Sequence, residues 1–437
     1  LKVGIISLGC AKNLVNSEQM LYLMSEAGFA LVPDPDGADL AIINTCGFID
    51  SAKSEAIDTI LEVAEYKKTG SLGGIIVTGC LAERYKDSIE RELPEIDAVL
   101  GVGSFTDIVK AAEAVLSRKH YRAFADNSAA VDEIPRVVST GPSWAYLRIA
   151  EGCNNYCAFC AIPLIRGRYR SRKMENILEE AKDLAAHGIK ELIVIAQDIT
   201  RYGTDLYGHR CLAELCRKLS EIEGIEWIRL HYLYPDQFDD ELIDEIAGND
   251  KIVKYLDIPI QHIHSTILRR MHRLGTREDI LRCVRGAKSR GLTVRTTLIV
   301  GFPGETEEQF QELLDFVAET EFDRLGAFTY SPEEGTPAAR MPDQVPEEVK
   351  QERLDRLMTL QQGISLKRNQ ARVGTTEQVL VTDVNGEGFC LGRSAREAPE
   401  IDGEILFSPG KTRPEVGSFL PVRITRAEPY DLYGEAL

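Results

Sequence analysis

The sequence lacks any apolar run that approaches the roughly 18–20 residues needed to cross a membrane, and it has no low-complexity tract or short repeat. The beginning of the chain shows no secretory signal pattern. Positive charge is outnumbered, because 51 Lys and Arg stand against 69 Asp and Glu, a formal net charge of −18. These absences argue against a membrane partner and against a surface dominated by phosphate contacts. We therefore expect a cytoplasmic protein, and its 437 residues suffice for two or three domains.

Three cysteines in the first part of the chain, Cys10, Cys46 and Cys80, each end a short apolar run. Such runs, separated by helical patterns, indicate buried parallel strands, whose carboxyl ends meet at one edge of the sheet. The later pair Gly101 and Gly103 lacks the third glycine of a dinucleotide fingerprint, which excludes a Rossmann nucleotide site there. Three equivalent cysteines favour an iron–sulfur cluster. The alternative is that they are small buried hydrophobic residues.

A second group of cysteines, Cys153, Cys157 and Cys160, has the spacing Cys-x3-Cys-x2-Cys. Thiolates are the usual ligands of a [4Fe–4S] cluster, and three of them leave one of its four irons open. Structural zinc would need a fourth ligand nearby, whereas the next candidates, His187 and Cys211, lie far downstream. The spacing therefore favours a cluster, with structural zinc and inert core cysteines as the alternatives. We interpret the four remaining cysteines as core or incidental residues: Cys211, Cys216, Cys283 and Cys390.

The middle of the chain repeats a strand pattern followed by a helix pattern. The candidate strands are Ala145–Ala150, Glu191–Ala196, Trp227–Tyr232, Tyr255–Ile260, Thr293–Val300 and Arg324–Tyr330. Six such repeats predict a parallel, barrel-like sheet with its site on the loops that follow the strands.

The last part of the chain changes to a pattern of short strands. The candidates are Gln378–Thr382, Gly388–Arg393, Ile405–Ser408 and Phe419–Thr425, and Asn385-Gly386 is a strong hairpin signal. This pattern predicts a small OB-like barrel.

The Cys-x3-Cys-x2-Cys motif, with Phe159 just before its last cysteine, resembles the signature of radical S-adenosylmethionine (SAM) enzymes. Two cysteine triplets followed by a small barrel resemble, over the whole chain, the methylthiotransferase family. Three segments are similar to the branch that modifies a ribosomal protein rather than tRNA: Val3–Asn13, Ala398–Gly403 and Tyr430–Glu435.

The resemblance implies three domains. They are an N-terminal doubly wound parallel-sheet domain (residues 1–124), a central partial (β/α)6 radical SAM barrel (139–371) and a C-terminal OB-like TRAM barrel (372–437). It also implies SAM and two [4Fe–4S] clusters. One cluster would be bound by Cys153, Cys157 and Cys160, and the other, implicated in sulfur delivery, by Cys10, Cys46 and Cys80. The SAM contacts that the family pattern makes plausible are Phe159, Gln197, Gln261, Gly301 and Glu305.

The activity implied is methylthiolation of the β-carbon of an aspartate in the twelfth small-subunit ribosomal protein. Such an enzyme needs an electron donor, such as flavodoxin or ferredoxin, and a sulfur donor. The alternative within the family is methylthiolation of a modified adenosine in tRNA. From another class, the chain could be an iron–sulfur RNA-binding or ribosome-assembly factor without turnover.

Charge in the C-terminal segment bears on this choice. From Val373 onward there are six Lys and Arg against eleven Asp and Glu, a difference of −5. An acidic barrel suits a basic ribosomal protein and disfavours tRNA, although acidity also simply aids solubility. We therefore expect a separable docking barrel that presents Glu397, Glu400 and Asp402, and whose removal spares SAM cleavage. The basic island Arg166–Arg172 could contact the substrate or SAM, or could pair with nearby acids.

Overall fold

The central strands of the first sheet are apolar on both faces. Leu40 and Ile42 pack on one face of the sheet, while Ala41 and Ile43 pack on the other, and all four are fully buried. A strand that is apolar on both faces needs helices on both sides, as in doubly wound parallel folds. The computed structural model describes residues 1–238, 240–385, 389–411 and 413–437. It forms two compact units, which are described separately below.

The first unit comprises Leu1–Ser139, Ala150–Arg172 and Ser331–Ala339. Its sheet contains, in chain order, β1 (Lys2–Ser7), β2 (Ala30–Val32), β3 (Leu40–Thr45), β4 (Gly74–Gly79), β5 (Ala98–Leu100) and β6 (Tyr121–Ala123). The spatial order is β2-β1-β3-β4-β5-β6, and all pairs are parallel. The helices between them are α1 (Ala11–Glu26), α2 (Asp50–Thr69), α3 (Cys80–Arg84), α4 (Ile89–Glu92) and α5 (Ile108–Leu116). Helix α2 covers one face of the sheet, and α1 and α5 cover the other.

The second unit comprises Thr140–Ile149, Lys173–Tyr330 and Arg340–Leu437. Its large sheet contains β7 (Trp144–Arg148), β10 (Glu191–Ile195), β11 (Trp227–Leu230), β12 (Ile252–Asp257), β13 (Thr293–Val300) and β14 (Arg324–Thr329). Strands β8 (Ala150–Glu151) and β9 (Arg170–Ser171) form a small antiparallel pair in the first unit, which also holds α6 (Ile162–Arg166). The large sheet is parallel and runs β14-β13-β12-β11-β10-β7, so the six predicted strands are confirmed in sequence order.

Helices follow the strands of this sheet. They are α7 (Met174–Ala186), α8 (Leu212–Ser220), α9 (Asp240–Gly248), α10 (Ser265–Arg270), α11 (Arg277–Ser289), α12 (Glu307–Thr320) and α13 (Glu347–Gln370). Helix α12 begins at a capping box, in which Thr306 and Gln309 exchange hydrogen bonds between side chain and backbone. Within the described ranges, no helix is both long and apolar enough to span a bilayer.

The C-terminal strands close into a barrel. They are β15 (Thr376–Val384), β16 (Cys390–Arg393), β17 (Ile405–Ser408), β18 (Phe419–Ala427) and β19 (Leu432–Ala436), in the order β15-β16-β17-β19-β18. The sequence pattern did not predict β19, which pairs with both β17 and β18 and so completes the closure. Gly386 of the predicted hairpin turn, and Gly388 at the start of a predicted strand, lie outside the described residues.

Candidate functional site

The three upstream cysteines lie at the carboxyl ends of neighbouring strands. Cys46 follows β3 directly, Cys80 follows β4 directly, and Cys10 comes three residues after the end of β1. These strands are adjacent in the sheet, so its topology brings the three loops together. The loops are in close contact, because a Cβ atom on Gly9 would lie 3.0 Å from Sγ of Cys46. Cys10 is exposed, Cys46 is half-buried and Cys80 is buried.

Gly79 allows the backbone conformation that places Cys80 beside the loops of Cys10 and Cys46. Its φ is 95°, a conformation that costs a non-glycine residue free energy. A Cβ atom on Gly79 would lie 2.4 Å from Oδ1 of Asn44 and 2.5 Å from the carbonyl oxygen of Thr45. Only glycine therefore fits between β3 and the cysteine that follows β4.

Asn13, on the first turn of α1, joins the cysteine loops. Its Nδ2 donates hydrogen bonds to the carbonyl oxygens of Leu8 and Thr45, both at 2.9 Å. Its Oδ1 lies 3.7 Å from Sγ of Cys80. A buried amide that makes all these contacts holds the ends of β1, β3 and β4 in one arrangement. Asn13 has no functional signal of its own in the sequence, although it lies in the Val3–Asn13 segment that carried the resemblance.

The second cysteine group lies in the loop between β8 and α6. The backbone N–H of Cys153 donates to the carbonyl of Gly167 at 3.2 Å, and that of Cys160 donates to the carbonyl of Cys157 at 3.0 Å. The backbone N–H of Asn155 points at Sγ of Cys153 at 3.4 Å. Cys157 is buried, whereas Cys153 and Cys160 are half-buried. These hydrogen bonds hold the backbone of the cysteine loop in one defined shape.

Electrostatics distinguish the three upstream thiols. Burial, together with the charges of Cys10 and Cys46, raises the pKa of Cys80 to about 11. Burial also raises the pKa of Cys46. Although the Cys10 residue reaches solvent, protein atoms crowd around its sulfur and oppose ionisation. The charges of Lys12 and Arg166 outweigh this effect and lower the pKa of Cys10. Thiolates that disfavour one another in this way fit a site whose positive charge is supplied by a bound metal centre.

Arg166 lies beside this group of thiols. Its side chain is 1% exposed, and Nη1 lies 2.9 Å from Oε2 of Glu151. Its Nη2 donates to Oδ1 of Asn13 at 2.5 Å. Of the basic island proposed from the sequence, Arg166 pairs with Glu151, and Arg172 forms an ion pair with Glu133. These two arginines therefore have acidic partners inside the protein.

Two of the predicted SAM contacts follow strands of the large sheet. Gln197 lies two residues after β10, and Gln261 lies four residues after β12; both side chains are half-buried. Gln261 has a φ of 70°, and its backbone N–H donates to the carbonyl of Thr297. Its Oε1 is buried and has no hydrogen-bond partner among the described residues. An acceptor of this kind is suited to a ligand donor. Phe159, in the cysteine loop, is half-buried.

The carboxylate oxygens of Glu305 already contact other groups of the protein. The backbone N–H of Gly301 donates to its two oxygens at 3.0 and 3.1 Å, and Nη1 of Arg353 lies 2.9 Å from Oε1. Nε2 of His262 lies 3.4 Å from Oε2. Glu305 therefore holds the backbone at Gly301, directly after β13, in place, a role that the sequence did not predict.

The three acids predicted to dock a substrate differ in their exposure. Glu397 is 1% exposed and forms ion pairs with Arg324 and Arg372. The Asp402 side chain is 3% exposed and accepts a hydrogen bond from the hydroxyl of Tyr255 at 2.7 Å. The expectation of exposed charges therefore does not hold for these two residues. Each is buried in contact with partners that are distant in sequence, arginines for Glu397 and the hydroxyl of Tyr255 for Asp402.

Glu400 is exposed, and it accepts a hydrogen bond from the hydroxyl of Tyr146 at 2.6 Å.

Three family models match successive parts of the chain. They are the radical SAM superfamily over residues 147–317, the uncharacterized protein family UPF0004 over residues 2–101, and the TRAM domain over residues 373–437. Among solved structures, the radical S-adenosylmethionine methyltransferase TsrM from Kitasatospora setae has a TM-score of 0.56 at 14% identity. The match covers 88% of this chain and 79% of that one. At this identity the likeness shows the fold alone.

Curated relatives match the chain from end to end. Ribosomal protein uS12 methylthiotransferase RimO of Acetivibrio thermocellus is 49% identical over 447 residues, covering 100% of this chain and 98% of the relative. The proteins of the same name from Clostridioides difficile and Clostridium botulinum are 48% and 47% identical. These matches cover 100% and 99% of this chain, and 99% and 98% of the relatives. The chain therefore belongs to the RimO family of methylthiotransferases, within the radical S-adenosylmethionine superfamily.

Proposed function

We propose that this protein methylthiolates the β-carbon of an aspartate of ribosomal protein uS12 by a radical SAM mechanism. The observation that carries the proposal is the presence of two separate cysteine triplets in one folded unit, in a chain whose full-length relatives are named for this activity. The acidic C-terminal segment supports a basic protein substrate over tRNA.

Each triplet is proposed to hold one [4Fe–4S] cluster. Cys153, Cys157 and Cys160 would hold the cluster that, with SAM, supplies the 5′-deoxyadenosyl radical, and the upstream triplet would hold the one associated with sulfur delivery. The thiols fit, because each set offers three sulfurs and leaves one iron open to another ligand. Asn13 and Gly79 would hold the loops that carry Cys10, Cys46 and Cys80 in place before a cluster binds.

Further residue roles belong to the same proposal. Phe159, Gln197, Gln261 and Gly301 are our proposed SAM contacts, and the buried Oε1 of Gln261 is the strongest support among them. Glu305 would act indirectly, by holding the backbone of Gly301.

We also propose the division into domains 1–124, 139–371 and 372–437, which the spans of the three family models support. A cytoplasmic location, an electron donor such as flavodoxin or ferredoxin, and a separate sulfur donor complete the proposal.

Mass spectrometry of uS12 tests the reaction. Ribosomes from cells with and without the gene should differ by one methylthio group on an aspartate of uS12. Complementation with a Cys157→Ala variant should not restore it, whereas complementation with Cys211→Ala, which lies outside both triplets, should. An unmodified uS12 together with a gene-dependent methylthioadenosine in tRNA would replace this function by the tRNA alternative. No modification of either substrate would favour a binding protein without turnover.

Iron content tests the cluster assignment separately. Anaerobically reconstituted protein should contain about eight irons per chain. Replacing Cys10, Cys46 and Cys80 together by Ala should remove half of this iron and leave reductive SAM cleavage intact. Full iron retention in that variant would contradict the second cluster, and the Cys211→Ala protein serves as the control for handling losses.

A further inference from the structure

Arg166 occupies an unusual place for a cation. It ends α6, six residues after Cys160, and its guanidinium is 1% exposed. Burying a guanidinium is costly unless acids and hydrogen-bond acceptors surround it. Here Nη1 reaches Oε2 of Glu151 at 2.9 Å and Oδ1 of Asn16 at 3.4 Å, and Nη2 reaches Oδ1 of Asn13 at 2.5 Å. The side chain is therefore fixed rather than mobile.

These contacts link the two cysteine groups of the first unit. Asn13 lies three residues after Cys10 and contacts Cys80, while Glu151 lies two residues before Cys153. The helix that carries Arg166 also packs against the upstream group, because Cys80 forms a buried cluster with Ala161 and Ile165. A single side chain thus spans from the upstream thiols to the strand that leads into the radical motif.

The charge of Arg166 has a consequence for any cluster held next to it. A [4Fe–4S] core bound by three thiolates is a net anion, and one-electron reduction makes it more negative. A fixed cation nearby stabilises the reduced form more than the oxidised form, and so raises the reduction potential. Glu151 acts in the opposite direction, because its carboxylate partly compensates the guanidinium.

We propose that the positive charge of Arg166 raises the reduction potential of the cluster at Cys10, Cys46 and Cys80, and that Glu151 moderates this effect. The inference rests on the proposed function, since it needs the second cluster. It goes beyond that function by assigning the control of the cluster's potential to one ion pair. The alternative is that the pair only holds the loop between β8 and α6 in shape.

The two roles predict different results for conservative variants. Arg166→Lys keeps the positive charge but loses the guanidinium fork, whereas Arg166→Gln keeps hydrogen bonding but loses the charge. A purely structural role would lower thermal stability in both variants and leave the potential unchanged. A role through charge predicts a lower potential for Arg166→Gln and a nearly unchanged one for Arg166→Lys. Glu151→Gln should raise the potential.

The test uses the full chain with Cys153, Cys157 and Cys160 replaced by Ala, so that only the upstream cluster contributes. Its potential is measured by an anaerobic titration followed by electron paramagnetic resonance, alongside iron content and the thermal midpoint of the apoprotein. Arg168→Gln is the matched control, because Arg168 is an exposed arginine of the same segment, and it should change none of the three readouts.

Opposite shifts for Arg166→Gln and Glu151→Gln would support the proposal. An unchanged potential in Arg166→Gln with its iron retained would overturn it and leave the proposed function standing. If Arg166→Gln holds no iron, Glu151→Gln decides: a raised potential supports the proposal, and an unchanged or lowered one overturns it. Absence of iron from the parent chain itself would instead overturn the second cluster.

Discussion

Arg393, at the end of β16, directs its Nη2 to Oε2 of Glu191, the first residue of β10, across 2.7 Å. The other oxygen of Glu191 accepts a hydrogen bond from Nε of Arg229 at 2.8 Å, and all three side chains are buried. Removing one member of such a group leaves an uncompensated buried charge, which is far more costly than the pair is stabilising. The C-terminal barrel is therefore integral to the folded unit that contains the large sheet.

Truncation after residue 371 should consequently destabilise the remaining chain. Arg324 would lose Glu397, Glu191 would lose Arg393, and the hydroxyl of Tyr255 would lose Asp402. This differs from the expectation, drawn from sequence alone, that removal of the barrel spares SAM cleavage. We expect aggregation or a clearly lower thermal midpoint by differential scanning fluorimetry. A truncated protein as stable as the full chain would contradict the structural role.

Glu191→Gln isolates the central ion pair. The substitution keeps the shape but removes the charge that two buried arginines share, so we expect a loss of about 3–5 kcal/mol in the free energy of unfolding. Glu241→Gln is the control, because Glu241 pairs with Arg217 at the surface and such pairs contribute about 0–1 kcal/mol. Urea titrations of both variants measure the difference, and equal losses would show that burial of the pair is unimportant.

Glu397 should make stability depend on pH in the acidic range. Burial alone would raise the pKa of Glu397, but the neighbouring Arg372 and Arg324 outweigh burial and hold its pKa well below the usual range. The ionised carboxylate therefore stabilises the fold fully above about pH 4–5, where an unfolded glutamate is also ionised. The advantage of the native protein over Glu397→Gln should shrink progressively as the pH falls below about 4–5, the range of an unfolded glutamate, toward the lowered folded-state pKa. Thermal midpoints of both proteins from pH 7 to pH 3 measure this; a constant difference would contradict the assignment.

Gly79→Ala tests how tightly the loop before Cys80 is packed. The matched control is Gly37→Ala, because Gly37 also has a positive φ, 77°, but nothing lies within 4 Å of the Cβ that would be added. We expect Gly37→Ala to cost about 1–2 kcal/mol through backbone strain alone. Gly79→Ala should cost clearly more and should also reduce the iron bound by the upstream triplet. Similar losses in both variants, with full iron content, would show that the loop adapts.

Much of this architecture was predictable because it depends on local pattern. The apolar runs before Cys10, Cys46 and Cys80 predicted parallel strands. Because the carboxyl ends of parallel strands share one edge of the sheet, these runs also predicted that the three cysteines lie close together. The strand–helix alternation likewise predicted the six-stranded sheet. Strand β19 was missed, because a five-residue strand containing Gly434 has little strand signal of its own and forms through pairing with β17 and β18.

The polar partners were not predictable in the same way. The acids Glu397 and Asp402 look like surface charges in a sequence, because acidic residues are mostly exposed. Glu397 is buried against Arg324, which lies more than seventy residues away in the sequence. Asp402 is buried against Tyr255, which lies more than a hundred residues away. The same holds for Asn13 and Arg166, which are separated by 153 residues and meet only in the folded unit. Periodicity carries no information about such pairings.

The graded accessibility of the upstream cysteines sets an order of chemical vulnerability whenever iron is absent. Cys10 is exposed, Cys46 is half-buried and Cys80 is buried, so an oxidant arriving from solvent meets Cys10 first. A sulfenic acid formed there would have a neighbouring thiol within the same group of loops and could condense with it into a disulfide. Damage of this kind is reversible by thiol reductants, whereas further oxidation of the sulfur to a sulfonic acid is not. The arrangement proposed to bind the upstream cluster thus also makes the first oxidation of these thiols a recoverable one.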